Sequence, residues 1–396
     1  MGIEIKHQFQ LIVLLFCVGT CRLISLNAQG LEVQITQEPP LWAAETKQFG
    51  YEADPSRVQF RVGSDPVKIQ FLNDGRLALA WITADEVAKK RVAYPSNVPA
   101  HLYLSILDAK TGHQVSSHRW ACHSWGVTLA YTATGQWIVT SDESVTLYSP
   151  SFEKVKELQL AKTQPFRLVS PSGHSILLFA ADGGGRQVPE MFDATTFEVT
   201  DSWQDLRFDA ASFIYSDRFI LAQTRTPRAL FIREIGNSWI SFSMQVDPKA
   251  VNLGLYEFLN DDTLVKILGA EITVEKVQGS ELFTQPAPER GLWFSSWQTS
   301  AVSRDGNRFA AVLDRTKGLR SPKLDMYPYS SDDRVVVYSV PRRSAIFSVH
   351  VKGTSPWYPR TMWNRIAISR DGLLLGIVSN EGVRVFNLPS DLPNNN

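Results

Sequence analysis

The densest run of side chains capable of metal or acid–base chemistry is the stretch His118 to Trp125 (HRWACHSW), with His113 shortly before it. With His113 counted, three imidazoles and the Cys122 thiol supply nitrogen and soft-sulfur donors of the kind that zinc and copper accept. Their spacing fits no recognised ligand set. The segment is placed in a connection between two repeated units, where solvated or locally bonded histidines are expected. A second run, Asp182-Gly183-Gly184-Gly185-Arg186, could cradle an anion through successive backbone N–H groups, or serve simply as a flexible hairpin loop. Gly173-His174-Ser175 lacks the second glycine of a nucleophile elbow, and no P-loop, GxGxxG, HExxH or CxxC pattern occurs. The sequence therefore assigns no catalytic residue, no metal and no cofactor. What it does offer is aromatic and cationic side chains at recurring places, and the elements that hold them define those places.

Those elements repeat. An apolar strand, a polar turn and a second apolar strand occur at 67–82, 127–141, 166–180, 211–224, 253–268, 300–313 and 365–378. Each is followed by a third β-rich stretch ending near another polar turn. The turns centre on Gly75, Gly135, Gly173, Asp217, Asp262, Gly306 and Gly372. Four of the six intervals between them lie near ~40–45 residues, the period of a four-stranded propeller blade. Asp-Gly and Ser-Gly turns permit the positive backbone angles of tight hairpins, and Val, Ile, Phe and Tyr favour pleated strands. Outside a possible turn at 85–91, no part of the chain after the leader shows a helical apolar period. A single sheet of this kind cannot bury both faces, whereas sheets arranged radially bury them against one another. The expected fold is all-β, a seven-bladed β-propeller of four-stranded antiparallel blades. An N-terminal strand, either 31–36 or 57–62, completes the last blade and closes the ring.

The seven units, with their SRDG and LNDG turns and LDAKTG-like third strands, resemble WD40/YVTN-type β-propellers of bacterial exported proteins over essentially the whole chain after the leader. No Trp-Asp dipeptide ends a third strand and no Gly-His pair opens a blade, unlike the eukaryotic-type pattern. The resemblance implies a fold and leaves the function open, because such propellers act as scaffolds, binding platforms and, in some cases, enzymes.

In such a ring, connections between blades and between second and third strands share one face. The two long intervals both come from insertions between second and third strands, at 83–101 and 314–332, in blades one and six. Blades six, seven and one are neighbours in a seven-fold ring, so the insertions should flank blade seven. Trp297, Trp363 and Trp125 stand at entrances to innermost strands, and Trp357 and Tyr358 lie in the connection before blade seven. Tyr327 and Tyr329 belong to the second insertion. Arg365 and Lys68 both lie seven positions before their turn glycine, at the level of the channel mouth. Trp, Tyr and Arg are enriched at binding hot spots; aromatics at blade junctions also pack as wedges between sheets. The candidate binding residues are thus Trp125, Trp297, Trp357, Tyr358, Trp363, Arg365 and Lys68.

Charge and leader narrow the function classes. Forty basic residues balance forty acidic ones, which argues against a dedicated nucleic-acid binder. Residues 11–20 (LIVLLFCVGT) form an apolar run too short to span a bilayer, as expected of a signal peptide over residues 1–28. An uncleaved anchor and a lipid-modified Cys21 are the alternatives. Residues 29–390 then form a single propeller domain with a loose tail at 391–396, in a secreted or periplasmic protein without an integral membrane segment after leader cleavage. Cys122 alone remains outside the leader, so no internal disulfide can form. The expected function is a non-catalytic platform for a protein or peptide partner. The alternative that the resemblance implies is a propeller enzyme of the lactonase or quinoprotein-dehydrogenase type.

Overall fold

The structure is a computed structural model. It describes residues 39–390 except 52–66, 85–98, 124–126, 133, 142–143, 161–166, 171–172, 182–186, 203–209, 226–227, 237–239, 246–254, 269, 278, 289–292, 295–300, 315–332, 352–364 and 380–381. The described elements are strands, apart from one 3-10 turn at Thr46–Phe49 that the sequence reading did not anticipate.

The strands pair antiparallel in chain order, hairpin by hairpin. Sheet one holds Val67–Phe71, Arg76–Ala84, Pro99–Asp108 and Gln114–His123. Sheet two holds Thr128–Tyr131, Trp137–Thr140, Ser144–Tyr148 and Lys154–Gln159. Sheet three holds Arg167–Val169, Ser175–Ala181, Gln187–Asp193 and Val199–Ser202. Sheet four holds Ala210–Tyr215, Phe219–Arg225, Arg228–Glu234 and Ile240–Gln245. Sheet five holds Leu255–Asn260, Thr263–Leu268, Glu271–Lys276 and Glu281–Pro286. Sheet seven joins Ile366–Ile368, Leu374–Ser379 and Gly382–Asn387 to Trp42–Ala44.

Sheet six has its inner position divided between two short strands that lie end to end along one edge. It is five-stranded, because Trp293–Phe294 and Ala301–Val302 both pair with Arg308–Asp314, followed by Asp333–Ser339 and Ser344–Val351. The segments expected to close the ring, 31–36 or 57–62, lie outside the described residues. The outer edge of sheet seven is taken by Trp42–Ala44, with Trp42 opposite Val385 and Ala44 opposite Val383.

The Ser-Arg-Asp-Gly turns show why these residues sit where they do. The Ser303 hydroxyl donates to Asp305 Oδ1 at 2.6 Å and accepts the Arg308 amide at 2.9 Å. Ser369 does the same with Asp371 and the Leu374 amide, at 2.5 and 2.8 Å. The aspartates accept backbone amides two residues on, an Asx-turn contact. Gly306 and Gly372 then take φ of +70° and +72°, which a side chain would oppose.

The core lies between the sheets. Ala80, Leu102, Trp120 and Ile106 of sheet one pack against Leu129, Trp137 and Val139 of sheet two. Ile138, Val145 and Leu147 meet Ile176, Leu178 and Phe192 of sheet three. Asp201 of sheet three accepts the Gly236 amide of sheet four at 2.7 Å. Phe219, Leu221 and Ile232 pack on Tyr256, Phe258 and Leu264 of sheet five. The Gly306 turn of sheet six lies directly against the Leu259 carbonyl. Val335, Val337 and Phe347 pack on Ile366, Leu375 and Phe386 of sheet seven. Sheet seven returns to sheet one through Val378, Val383 and Val385 against Val67, Ile69 and Leu79. These are the blades of a β-propeller.

Candidate functional site

Antiparallel order fixes which end of each sheet carries which connection. The hairpin turns after the first and third strands share one end. Backbone bonds between them confirm it: Val340 N–H to Asn307 O at 2.8 Å in sheet six, and Leu388 N–H to Leu373 O at 2.8 Å in sheet seven. Connections from second to third strands and from sheet to sheet leave from the other end. The long connections run from Ala84 to Pro99 in sheet one and from Asp314 to Asp333 in sheet six. The stretch from Val351 to Arg365 joins sheets six and seven at that end. Trp125, Trp297, Trp357, Tyr358 and Trp363 lie outside the described residues, as do Tyr327 and Tyr329.

Lys68 and Arg365 are described, at matching positions. Arg365 immediately precedes the first strand of sheet seven, is buried, and its carbonyl accepts the Val378 amide at 2.8 Å. Lys68 lies on the first strand of sheet one opposite Ala80. Its ammonium crosses to sheet two and donates to the Leu129 carbonyl at 2.6 Å. Burial alone pushes this ammonium from 10.5 down to about 8. Thr128 holds the corresponding place in sheet two, where its hydroxyl meets that of Thr140 at 2.7 Å. Arg365, Lys68 and Thr128 thus hold equivalent positions at the start of three successive inner strands, with the Lys68 ammonium and the Thr128 hydroxyl engaged within the fold.

The histidine-rich run has a different setting from the one expected. Gln114–His123 is the outermost strand of sheet one and not a connection. His118, Trp120 and Cys122 face sheet two. His118 stacks on Phe152 at 4.4 Å between ring centroids and meets the Trp120 edge at 4.5 Å. Trp120 also packs near Tyr148, and Phe152 near Trp137, so the aromatics fill the wedge between two sheets. Phe152 reaches this place from a left-handed turn, with φ of +67°. Desolvation lowers the His118 pKa. Among the described residues no group of three or more His, Cys, Asp or Glu side chains is placed to hold a metal ion. Asp182–Arg186 lies outside the described residues.

Another contact was not legible beforehand. The Trp42 indole N–H donates to the Ala109 carbonyl at 2.8 Å, and its ring lies against Gly112 in the Asp108–Gly112 turn of sheet one. A Cβ on Gly112 would come within 2.7 Å of that ring. The N-terminal strand therefore holds sheet seven with its backbone and sheet one with a side chain.

No family model matches this chain, and no curated protein matches it. Solved structures do. The β-propeller domain of Myceliophteria thermophila Cps50 (Swd1) is similar at 14% identity, with 82% of this chain and 96% of that one covered and a TM-score of 0.51. A chain in the crystal structure of the Mitotic Checkpoint Complex is similar at 12% identity, with 90% and 98% covered and a TM-score of 0.50. The C-terminal WD40 domain of Sif2 matches at 11% identity over 82% and 96%, with a TM-score of 0.46. At these identities the likeness shows the fold, a β-propeller, alone.

Proposed function

We propose that this protein is a non-catalytic platform that holds a protein or peptide partner on the face around sheets six, seven and one. The observation that carries this reading is where the two long connections start and end. Ala84 to Pro99 and Asp314 to Asp333 emerge at the same end of the two sheets that flank sheet seven. Arg365 and Lys68 stand at that end of the inner strands and would meet a carboxylate of the partner. In this reading the six four-stranded sheets and the five-stranded one work as seven blades, closed by Trp42–Ala44. Residues 1–28 direct export, so the partner is met outside the cytoplasm, and the near-neutral chain does not bind nucleic acid.

The test is comparative capture. Exported protein carrying Trp297→Ala with Trp363→Ala, and a second form lacking 315–332, should each lose partners that the intact protein retains. Recovery of the same partners by all three would show that this face is the wrong one.

A further inference from the structure

In the repeated Ser-Arg-Asp-Gly turn, serine, aspartate and glycine each have a part in the hairpin, and arginine has none. Arg304 and Arg370 occupy that position in sheets six and seven, and both are exposed. The neighbouring turn of sheet six, Val340 to Arg343, adds exposed Arg342 and Arg343. These turns form one continuous rim. Val340 bonds to Asn307, the Arg308 guanidinium donates to the Gly372 carbonyl at 2.5 Å, and Arg342 donates to the Ser390 carbonyl at 2.5 Å.

The turn carboxylates offset it only in part. Burial works to raise the Asp305 and Asp371 pKa values, but hydroxyl and amide donors within their own turns, joined at Asp371 by the Arg308 charge, outweigh it and keep both ionised, two negative charges beside Arg304, Arg308, Arg342, Arg343 and Arg370. Among the described residues, no carboxylate forms an ion pair with Arg304, Arg343 or Arg370. On either side the balance changes. Arg76 pairs with Asp74 in sheet one, Lys276 pairs with Asp262 in sheet five at 2.7 Å, and Asp261 is exposed beside it. In a chain of zero formal net charge, this is a bounded basic sector. At its centre the Leu373 side chain is 42% exposed.

We propose that this rim docks a short acidic segment of a protein partner, with carboxylates on the arginines and an apolar side chain on Leu373. Guanidinium forks match carboxylates in two-point contacts. An anionic bilayer would lie across the whole face and meet the neutralised and acidic turns as well, whereas a short segment needs only the basic sector. The rim is at the opposite end of the sheets from the long connections, so it stands independently of the platform proposed above.

Fluorescence anisotropy with a labelled peptide of alternating glutamate and leucine tests this, beside its lysine-for-glutamate counterpart and phosphatidylserine-containing vesicles. Arg304→Glu combined with Arg370→Glu should weaken binding of the acidic peptide roughly tenfold or more. Lys110→Glu, the same kind of charge reversal at the same end of sheet one, should leave it unchanged. Added salt should weaken it too. If the double reversal lowers the melting temperature, Arg304→Gln with Arg370→Gln supplies the comparison. Equal binding by the double variant and the intact protein overturns the proposal, as does failure of the intact protein to bind the acidic peptide. Vesicle binding that depends on these arginines, without peptide binding, overturns it in favour of a membrane.

Discussion

An ammonium that burial holds near pH 8 costs the fold stability at neutral pH. Lys68 donates to a single described acceptor, the Leu129 carbonyl, so its charge is poorly compensated. The folded value lies below the unfolded one. Between about 8 and 10.5 the unfolded chain therefore keeps the proton that the folded chain has lost, and stability rises with pH across that window. Lys68→Met should stabilise the protein at pH 7 by about 1–2 kcal/mol, allowing for partial solvent screening and the lost hydrogen bond. It should also flatten the rise above pH 8. Denaturant titrations at pH 7 and pH 10 measure both, and a less stable Lys68→Met at pH 7 would show that the charge is net favourable. A second comparison uses two turn glycines. Gly75 has φ of +79° with open space around it, while a Cβ on Gly306 would lie 2.5 Å from the Leu259 carbonyl. Gly75→Ala should cost about 1 kcal/mol and Gly306→Ala at least about 2 kcal/mol more. Equal losses in thermal melts would mean that the contact between sheets five and six carries little.

Hairpins were the most legible elements, because turn chemistry and alternating apolar residues announce them within a few positions. Pairings at long range were not. Trp42–Ala44 is only three residues long and has no alternation of apolar and polar residue types. What recruits it is an open edge on Gly382–Asn387, far along the chain. The outer strand of sheet one misled for another reason. Its outward face carries Val115, which is 56% exposed, while His118 points inward, so its pattern reverses the usual one. Of the candidate site only Lys68 and Arg365 could be placed, and Lys68 proved to tie two sheets together as well as to line the inner strands. Trp42→Ala removes an indole from between two sheets and leaves the Ala109 carbonyl without that donor. It should cost about 2–4 kcal/mol. Removal of residues 1–45 should lower the melting temperature below that of a form lacking only 1–38, and expose sheet seven to limited proteolysis. If both truncations melt alike, the closing strand contributes nothing.

Across the whole molecule, one end of the propeller is held by ionised aspartates. The Arg76 guanidinium lowers the Asp74 pKa, Thr111 that of Asp108, the Thr196 amide that of Asp193 and Lys276 that of Asp262. Carboxylates depressed in the folded state stabilise it above their unfolded values and stop doing so as pH falls through the folded ones. The melting temperature should therefore hold from pH 7 to about 5 and drop below about pH 4. A melting temperature unchanged down to pH 3 would show that these turns do not depend on ionisation. The succession of antiparallel four-stranded sheets was readable because each repeats the same local grammar; the divided inner edge of the sixth was not, since two short inner strands both find Arg308–Asp314. The pairing of Trp42–Ala44 with Val383–Val385 has a kinetic side. Trp42 and its partner Val385 are separated by most of the described chain. Every other sheet can assemble from contiguous chain, but sheet seven requires a loop spanning nearly the whole molecule to close. Pairing of Trp42–Ala44 should thus come late, and until it forms the Gly382–Asn387 edge of sheet seven is unpaired. A chain built in this way leaves the Gly382–Asn387 edge open until a strand from the far end of the described chain reaches it.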